Sequence, residues 1–387
     1  MNIAPILVIV SFFWLLFSGG SDVMGIRVFP FAVAIVSVFM LSCNNYSIVF
    51  SKGTILFLLS LIPVFITSAL ADYEYYYPMW VFHCIVSVFC LAFLFSYIRR
   101  NEWSEKFTRT LAVSSLLLLA FFVCGTILSS GQRGSFVFGP NMLYRVFAVL
   151  SLFPLLLIKF INTTLRKVIL IAFTISIMIL GIVATGSRGG IIAIALLLFA
   201  AFHSCLGKIK ISSGIFWLFS VFSIMVVFVI GNQEVLISSR LFNFDYEGNQ
   251  SLSLRLAPWA EFFNNPLEWI VSFGQSYDIF ITKFGHDQFP YPHNLFLELI
   301  FFNGIFGFAL SLFLLIQFVK LFFDVVSSQF ESYSVLYYSL AVIFIGSMFS
   351  GNNLDNYVVI SMTAVLVAFK RKRWVSKFEE KHSTVSL

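Results

Sequence analysis

His293-Asn-Leu-Phe-Leu-Glu298-Leu-Ile-Phe-Phe-Asn303-Gly304-Ile-Phe-Gly307 opens an apolar run that continues to Val319. Roughly 20 apolar residues are needed to cross a bilayer core, and 294–319 supplies them. A histidine and an asparagine stand at its mouth, and Glu298 lies a turn further in. Imidazole exchanges protons near neutral pH without a special environment, and ionisable groups at membrane depth are costly enough to need a reason. Two readings stand for His293: an interfacial histidine with satisfied hydrogen bonds, or a proton carrier.

The run is one of many. Only 11% of the 387 residues are charged and 59% are hydrophobic, with a mean hydropathy of +0.95. A soluble domain is about 25% charged, so the class is an all-α integral membrane protein. Twelve spans are expected, near 2–19, 26–43, 54–70, 78–98, 110–129, 143–160, 167–185, 190–206, 214–231, 294–319, 332–350 and 356–370. Of the 24 Lys and Arg residues, 17 fall on one side with both expected termini, from Lys52, Arg99 and Arg100 through Lys320 to the tail 371–387. Basic residues mark the cytoplasmic side, so the net charge of +6 describes topology and calls for no nucleic acid. The first span has no basic residue ahead of it and no cleavage site, so it reads as a retained helix. The five cysteines (Cys43, Cys84, Cys90, Cys124, Cys205) lack metal-site or disulfide spacing and read as apolar packing residues.

The remaining basic residues face outward: Arg27, Arg133, Arg145, Arg188, Arg240, Arg255 and Lys283. Six are arginine, whose fork holds two oxygens of a phosphate or carboxylate at once. Pairing with outer acids such as Asp22, Glu234, Asp245 and Glu261 is the other reading. Outward loops are short except 232–292, which separates nine spans in 1–231 from three in 293–370. A loop this long is functional or disordered, and its Trp259, Phe262, Phe263, Trp269 and Phe273 argue against disorder. Trp259, Phe262 and Phe263 share one helix face. Pro258 suits the first turn of that helix, with Arg255 just ahead of it, and Pro266 disfavours helix at Asn265. The helix is expected to lie on the membrane surface or cap the bundle.

Thr185-Gly186-Ser187-Arg188-Gly189-Gly190 is a polar knot between two spans. Its glycines either make a tight turn or admit a bulky ligand; the turn alone does not account for Arg188, which an anion would. Glu298 either orients its helix or pairs with an arginine. Gly304 and Gly307 suit close helix packing. Arg133 and Arg145 flank Gly139-Pro140-Asn141 in an outer loop. Asp72-Tyr-Glu-Tyr-Tyr-Tyr77 and Asn352-Asn353-Leu-Asp355-Asn356 suit either sugar contact or the interfacial belt.

Together these motifs resemble the bacterial O-antigen ligases and polymerases. The resemblance lies in His293-Asn294 with Gly304-Ile-Phe-Gly307, the Thr-Gly-Ser-Arg-Gly-Gly turn, Arg255 followed by Trp259, and Asn265-Pro266-Leu267 through Phe273-Gly274, in that family's order over about 140–310. It implies a multi-span, lipid-dependent glycosyltransferase of GT-C-like architecture in the bacterial inner membrane. Such an enzyme would act at the periplasmic face on undecaprenyl-diphosphate-linked oligosaccharide, with a polysaccharide chain-length regulator as a possible accessory. The family's arginines carry over onto Arg188 and Arg255, more loosely onto Arg240, and its histidine onto His293. Asn294, Glu298, Arg133 and Arg145 join the candidate substrate contacts.

No Asp-x-Asp motif is present and no metal or other cofactor is expected. Fixed arginines stabilise a diphosphate leaving group without reorganising, and His293 would serve as general base on the acceptor hydroxyl. Polymerase is favoured over ligase because its donor and acceptor both carry diphosphates. A transporter or flippase for lipid-linked sugars is the competing class, set aside because the halves show no matching broken helices.

Overall fold

A computed structural model describes residues 4–17, 55, 58–59, 61–70, 77–129, 136–187, 189–207, 250–271, 282, 292, 294–348 and 357–369. The described residues hold helices and no β-strand. In chain order the helices are α1 (Ala4–Phe17), α2 (Ile62–Leu70), α3 (Tyr77–Asn101), α4 (Glu105–Leu128) and α5 (Pro140–Leu152), which continues as a 3-10 segment, Phe153–Phe160. They are followed by α6 (Thr164–Thr185), α7 (Gly189–Leu206), α8 (Gln250–Asn264), α9 (Pro266–Val271), α10 (Leu295–Val326), α11 (Ser332–Ser347) and α12 (Tyr357–Phe369). Six stretches among the described residues are long and apolar enough to cross a membrane, and α1, α11 and α12 are shorter apolar helices. The expected spans 26–43 and 214–231 lie outside the described residues, as does the tail.

The core centres on α5 and α12. Residues 142–156 are all buried, and α5 packs on α4, α6, α7 and α11. Pro154 cannot donate to the carbonyl of Leu150, four residues back, so the helix tightens to 3-10 there. The Ser115 hydroxyl of α4 donates to that carbonyl at 2.6 Å. In lipid an orphaned carbonyl costs several kcal/mol, so Ser115 makes the bend tenable. Helix α12 is apolar and buried all round, as a helix at a bundle centre should be; its Tyr357 hydroxyl donates to the Leu15 carbonyl and its Ser361 hydroxyl to that of Cys84. Helices α4 and α6 turn Leu117, Phe121, Val168, Ile169 and Phe173 outward, the faces lipid would cover. Cys84 and Cys90 are buried, as expected, whereas Cys124 and Cys205 are exposed on outward faces and do not pack the core.

The opening stretch departs most from expectation. The sequence predicts one helix over 294–319, but Gly304 takes φ 53°, ψ −128° inside α10, a conformation open to glycine. A Cβ on Gly307 would stand 1.7 Å from the Leu299 carbonyl oxygen. In a straight helix residues eight apart are separated by about 12 Å along the axis. The chain therefore breaks sharply. Its outer piece, 295–303, is about 14 Å long and cannot span; its inner piece, 305–326, is about 33 Å and can. The helix also runs past the expected end, carrying Lys320 and Asp324 as its final turns.

At the opposite, Lys/Arg-rich end, buried Glu102 accepts from the Ser332 backbone N–H at 2.8 Å, capping the first turn of α11 where the helix dipole favours an anion. Burial pushes the Glu102 carboxyl above the usual carboxylate range, against the Ser332 hydrogen bonds and the nearby Lys159 charge, which favour ionisation. The Lys159 ammonium lies over the Trp103 ring, 4.2 Å from its centroid.

Candidate active site

Helix α5 begins in an N-terminal pattern suited to its first turn, with Gly139 as N-cap and Pro140 at the first helical position. Asn141, Tyr144 and Arg145 follow at i, i+3 and i+4 spacing, so they share one face. Arg145 was expected in an outer loop. It lies instead in the second turn of α5 and is 0% exposed. The reason is a notch in α11: a Cβ on Gly346 would stand 2.5 Å from Arg145 Nε and 2.7 Å from the Tyr144 hydroxyl. Only a residue without a side chain leaves room for that guanidinium.

The polar knot folds onto the same face. Helix α6 ends at Thr185 with Gly186 in the left-handed conformation (φ 60°), its N–H bonded to Ile182 and Val183 carbonyls. The Thr185 hydroxyl accepts from the Ser187 N–H at 3.3 Å, and the Ser187 hydroxyl donates to Asn141 Oδ1 at 3.1 Å. The glycines after the turn answer the question left open by the sequence: what approaches them belongs to this chain. A Cβ on Gly189 would meet the Tyr144 ring at 2.6 Å, and one on Gly190 would meet Ile182 Cγ2 at 2.3 Å. Arg188 itself lies outside the described residues, but both its neighbours are fixed against α5 and α6.

The start of α10 closes the group. Asn294 is its N-cap, with Oδ1 accepting from the Phe296 and Leu297 N–H groups at 3.0 Å each. Its Nδ2 donates to the Met348 carbonyl at 2.8 Å, two residues beyond the Gly346 notch. Glu298 is one turn further in and 0% exposed, its N–H bonded to the Asn294 carbonyl. Asn303, at the break, accepts from the Thr67 hydroxyl of α2 at 2.9 Å. Irregular backbone at membrane depth is tolerated where protein buries it or a cavity lies beside it. The outer piece of α10 meets that condition, since 297–304 are buried throughout.

The large loop attaches to this piece. Trp269 of α9 is 1% exposed and packs edge-on against Phe301, with ring centroids 4.9 Å apart; Phe262 of α8 packs edge-on against Trp269 at 6.0 Å. Of the two placements expected for the loop helix, packing on the bundle is the one observed. Its boundary differs, however. Helix α8 starts at Gln250, so Pro258 lies in its interior and Arg255 in its second turn, not ahead of it. Proline is tolerated there at the loss of one bond, to Leu254. The helix stops short of Asn265, as expected, and Pro266 opens a further helix, α9. The Arg255 side chain is outside the described residues, as are Arg133, Arg240, His293, the stretch 72–76 and the stretch 352–356.

Arg145, Asn294, Glu298 and the residues flanking Arg188 and His293 thus meet at one end of the bundle. Tyr144, Ser187 and Gly346 complete the group and were missed in the sequence. The first two had a signal: Asn141, Tyr144 and Arg145 line one face of an otherwise apolar helix, and Ser187 sits inside the polar knot. Among the described residues no group of three or more His, Cys, Asp or Glu side chains converges.

Compared with known proteins, residues 173–312 match the model of a family described as O-antigen ligase. No curated protein and no solved structure matches the chain.

Proposed function

Residues 173–312 make this multi-pass membrane protein a member of the O-antigen polymerase and ligase superfamily, and on that premise we propose that it polymerises undecaprenyl-diphosphate-linked repeat units at the periplasmic face. The acceptor hydroxyl attacks the anomeric carbon of the donor sugar and gives its proton to His293. The bond from that carbon to the diphosphate breaks, and undecaprenyl diphosphate leaves with the electron pair. Arg188 and Arg255 neutralise the leaving group, and Arg145, Arg133 and Arg240 add to the positive charge that the diphosphates meet. In a site shielded from water such fixed charges are commonly the largest catalytic contribution, and a positioned base adds roughly 10²–10⁴-fold.

One observation supports this most: the buried Arg145 in the Gly346 notch, two residues from the Met348 carbonyl that anchors Asn294. Through that pair the knot holding Arg188 and the helix mouth holding His293 are tied to one framework. Reconstituted protein given lipid-linked repeat units should produce longer chains on one polyprenyl carrier. Unaltered substrate that crosses the vesicle membrane would overturn the reading in favour of transport.

The family description favours a second reading, ligation of finished glycan from undecaprenyl diphosphate to lipid A-core. A deletion strain separates the two. Core bearing a single repeat indicates polymerase; core bearing none indicates ligase.

A further inference from the structure

Away from that site, at the Lys/Arg-rich end, a cavity of about 340 Å³ opens between the foot of α4, the end of the 3-10 segment and the start of α6. Arg109, Arg166, Asn162 and Thr163 supply its polar wall, and Phe160 and Ile161 its apolar floor. We propose that this cavity seats the phosphate of an anionic glycerophospholipid whose chains lie along α4 and α6.

Its charge is the first reason. The Arg166 side chain makes no hydrogen bond or ion pair with any described residue. Arg109 gives one N–H to Glu105, at 2.6 Å, and a guanidinium has five N–H donors in all. Glu105 also lines the cavity, so two cations face one anion and the balance stays positive. The second reason is the helix start. Thr163 is the N-cap of α6 but makes no side-chain capping bond, so the N–H groups of the first turn remain open to an oxyanion.

The third reason distinguishes a lipid from free phosphate. Directly beyond the cavity both helices present apolar side chains to the outside. On α4 these are Val113, Leu117 and Phe121, each four residues from the last, and on α6 they include Leu165, Ile169 and Phe173. Two ridges of exposed hydrocarbon leading away from a basic cavity match one headgroup and its two acyl chains. Basic pockets between membrane helices on the side rich in Lys and Arg bind anionic headgroups for the same electrostatic reason.

The test needs no turnover and is independent of the proposed reaction. Full-length protein in detergent is offered phosphatidylglycerol and phosphatidylcholine at equal concentrations, and retained lipid is counted by native mass spectrometry. Wild type should keep one phosphatidylglycerol in preference. Arg166→Ala should lower that preference about fivefold and the Arg109→Ala/Arg166→Ala pair should remove it. Equal retention of both lipids by wild type, or an unchanged preference in the double variant, overturns the proposal. So does displacement of phosphatidylglycerol by excess inorganic phosphate, which would mark a site for soluble anions. If the double variant does not fold, the wild-type competition and Arg166→Lys decide: charge without the fork should keep only part of the preference, and full retention counts against a built site.

Discussion

Gly189 and Gly346 are each pressed by α5, and each answers to a single added methyl. Gly189→Ala drives a Cβ into the Tyr144 ring and Gly346→Ala drives one into the Arg145 guanidinium. Overpacking of this kind costs about 1–3 kcal/mol, and the two should lower thermal stability in detergent similarly. Both should also lower turnover, because Gly346→Ala displaces Arg145 and Gly189→Ala shifts the backbone next to Arg188. His293→Ala should cut chain elongation by roughly 10²–10⁴-fold while lipid-linked donor still binds; activity near wild type would remove it from proton transfer. Arg188→Lys keeps the charge and loses the fork, so an inactive variant supports bidentate diphosphate binding and full activity speaks against it.

Elements carry different predictions. Ser115 answers the carbonyl that Pro154 leaves open, so Ser115→Ala should cost about 1–3 kcal/mol, and adding Pro154→Ala should recover part of it by restoring the helical bond. The double-variant cycle, read by thermal unfolding, should therefore be non-additive. At the foot of α11, burial raises the Glu102 pKa. A carboxyl that binds its proton more tightly folded than unfolded adds stability below its unfolded pKa, and that stability is lost as pH rises through the folded pKa. Glu102→Gln keeps an acceptor for Ser332 and cannot ionise, so it should flatten the fall in unfolding temperature as pH rises above the ordinary carboxylate range. Glu102→Ala should lose the cap at any pH, about 1 kcal/mol.

What could be read from residues alone follows from what lipid demands of a chain. Unbroken apolar runs such as 110–129 and 167–185 have no other stable home, and both are helices here. The break in α10 left only a faint mark, the turn-prone pair Asn303-Gly304, which the long apolar run on either side and the frequency of glycine in membrane helices outweigh. Arg145 was misplaced for a related reason: a charge near the end of an apolar run reads as loop until a partner such as Gly346, 201 residues on, is known to make room for it. Pro258 suited two positions, and the helix-forming Gln250–Ala257 ahead of it decided between them.

For the whole molecule the expected orientation has a direct check. In a variant without native cysteines, Ser135→Cys should react with a membrane-impermeant maleimide in intact cells whose outer membrane has been made permeable, and Lys167→Cys should react only after lysis. The reverse pattern would turn the proposed site to the cytoplasm, where a periplasmic reaction has no substrate.

The break at Gly304 also governs how this architecture can be rebuilt. The rod 305–326 is long enough to cross a bilayer by itself, and the nine residues before it are gripped by Trp269 and Asn294. Lengthening or exchanging 232–292 therefore pulls on a stub and does not shift the rod along the membrane normal. Inserting a foreign segment within 272–291, which spares Trp269 and its packing on Phe301, should leave assembly of the remaining helices intact, as read by thermal unfolding in detergent. Loop length and helix insertion are thus separable design problems, divided at one glycine.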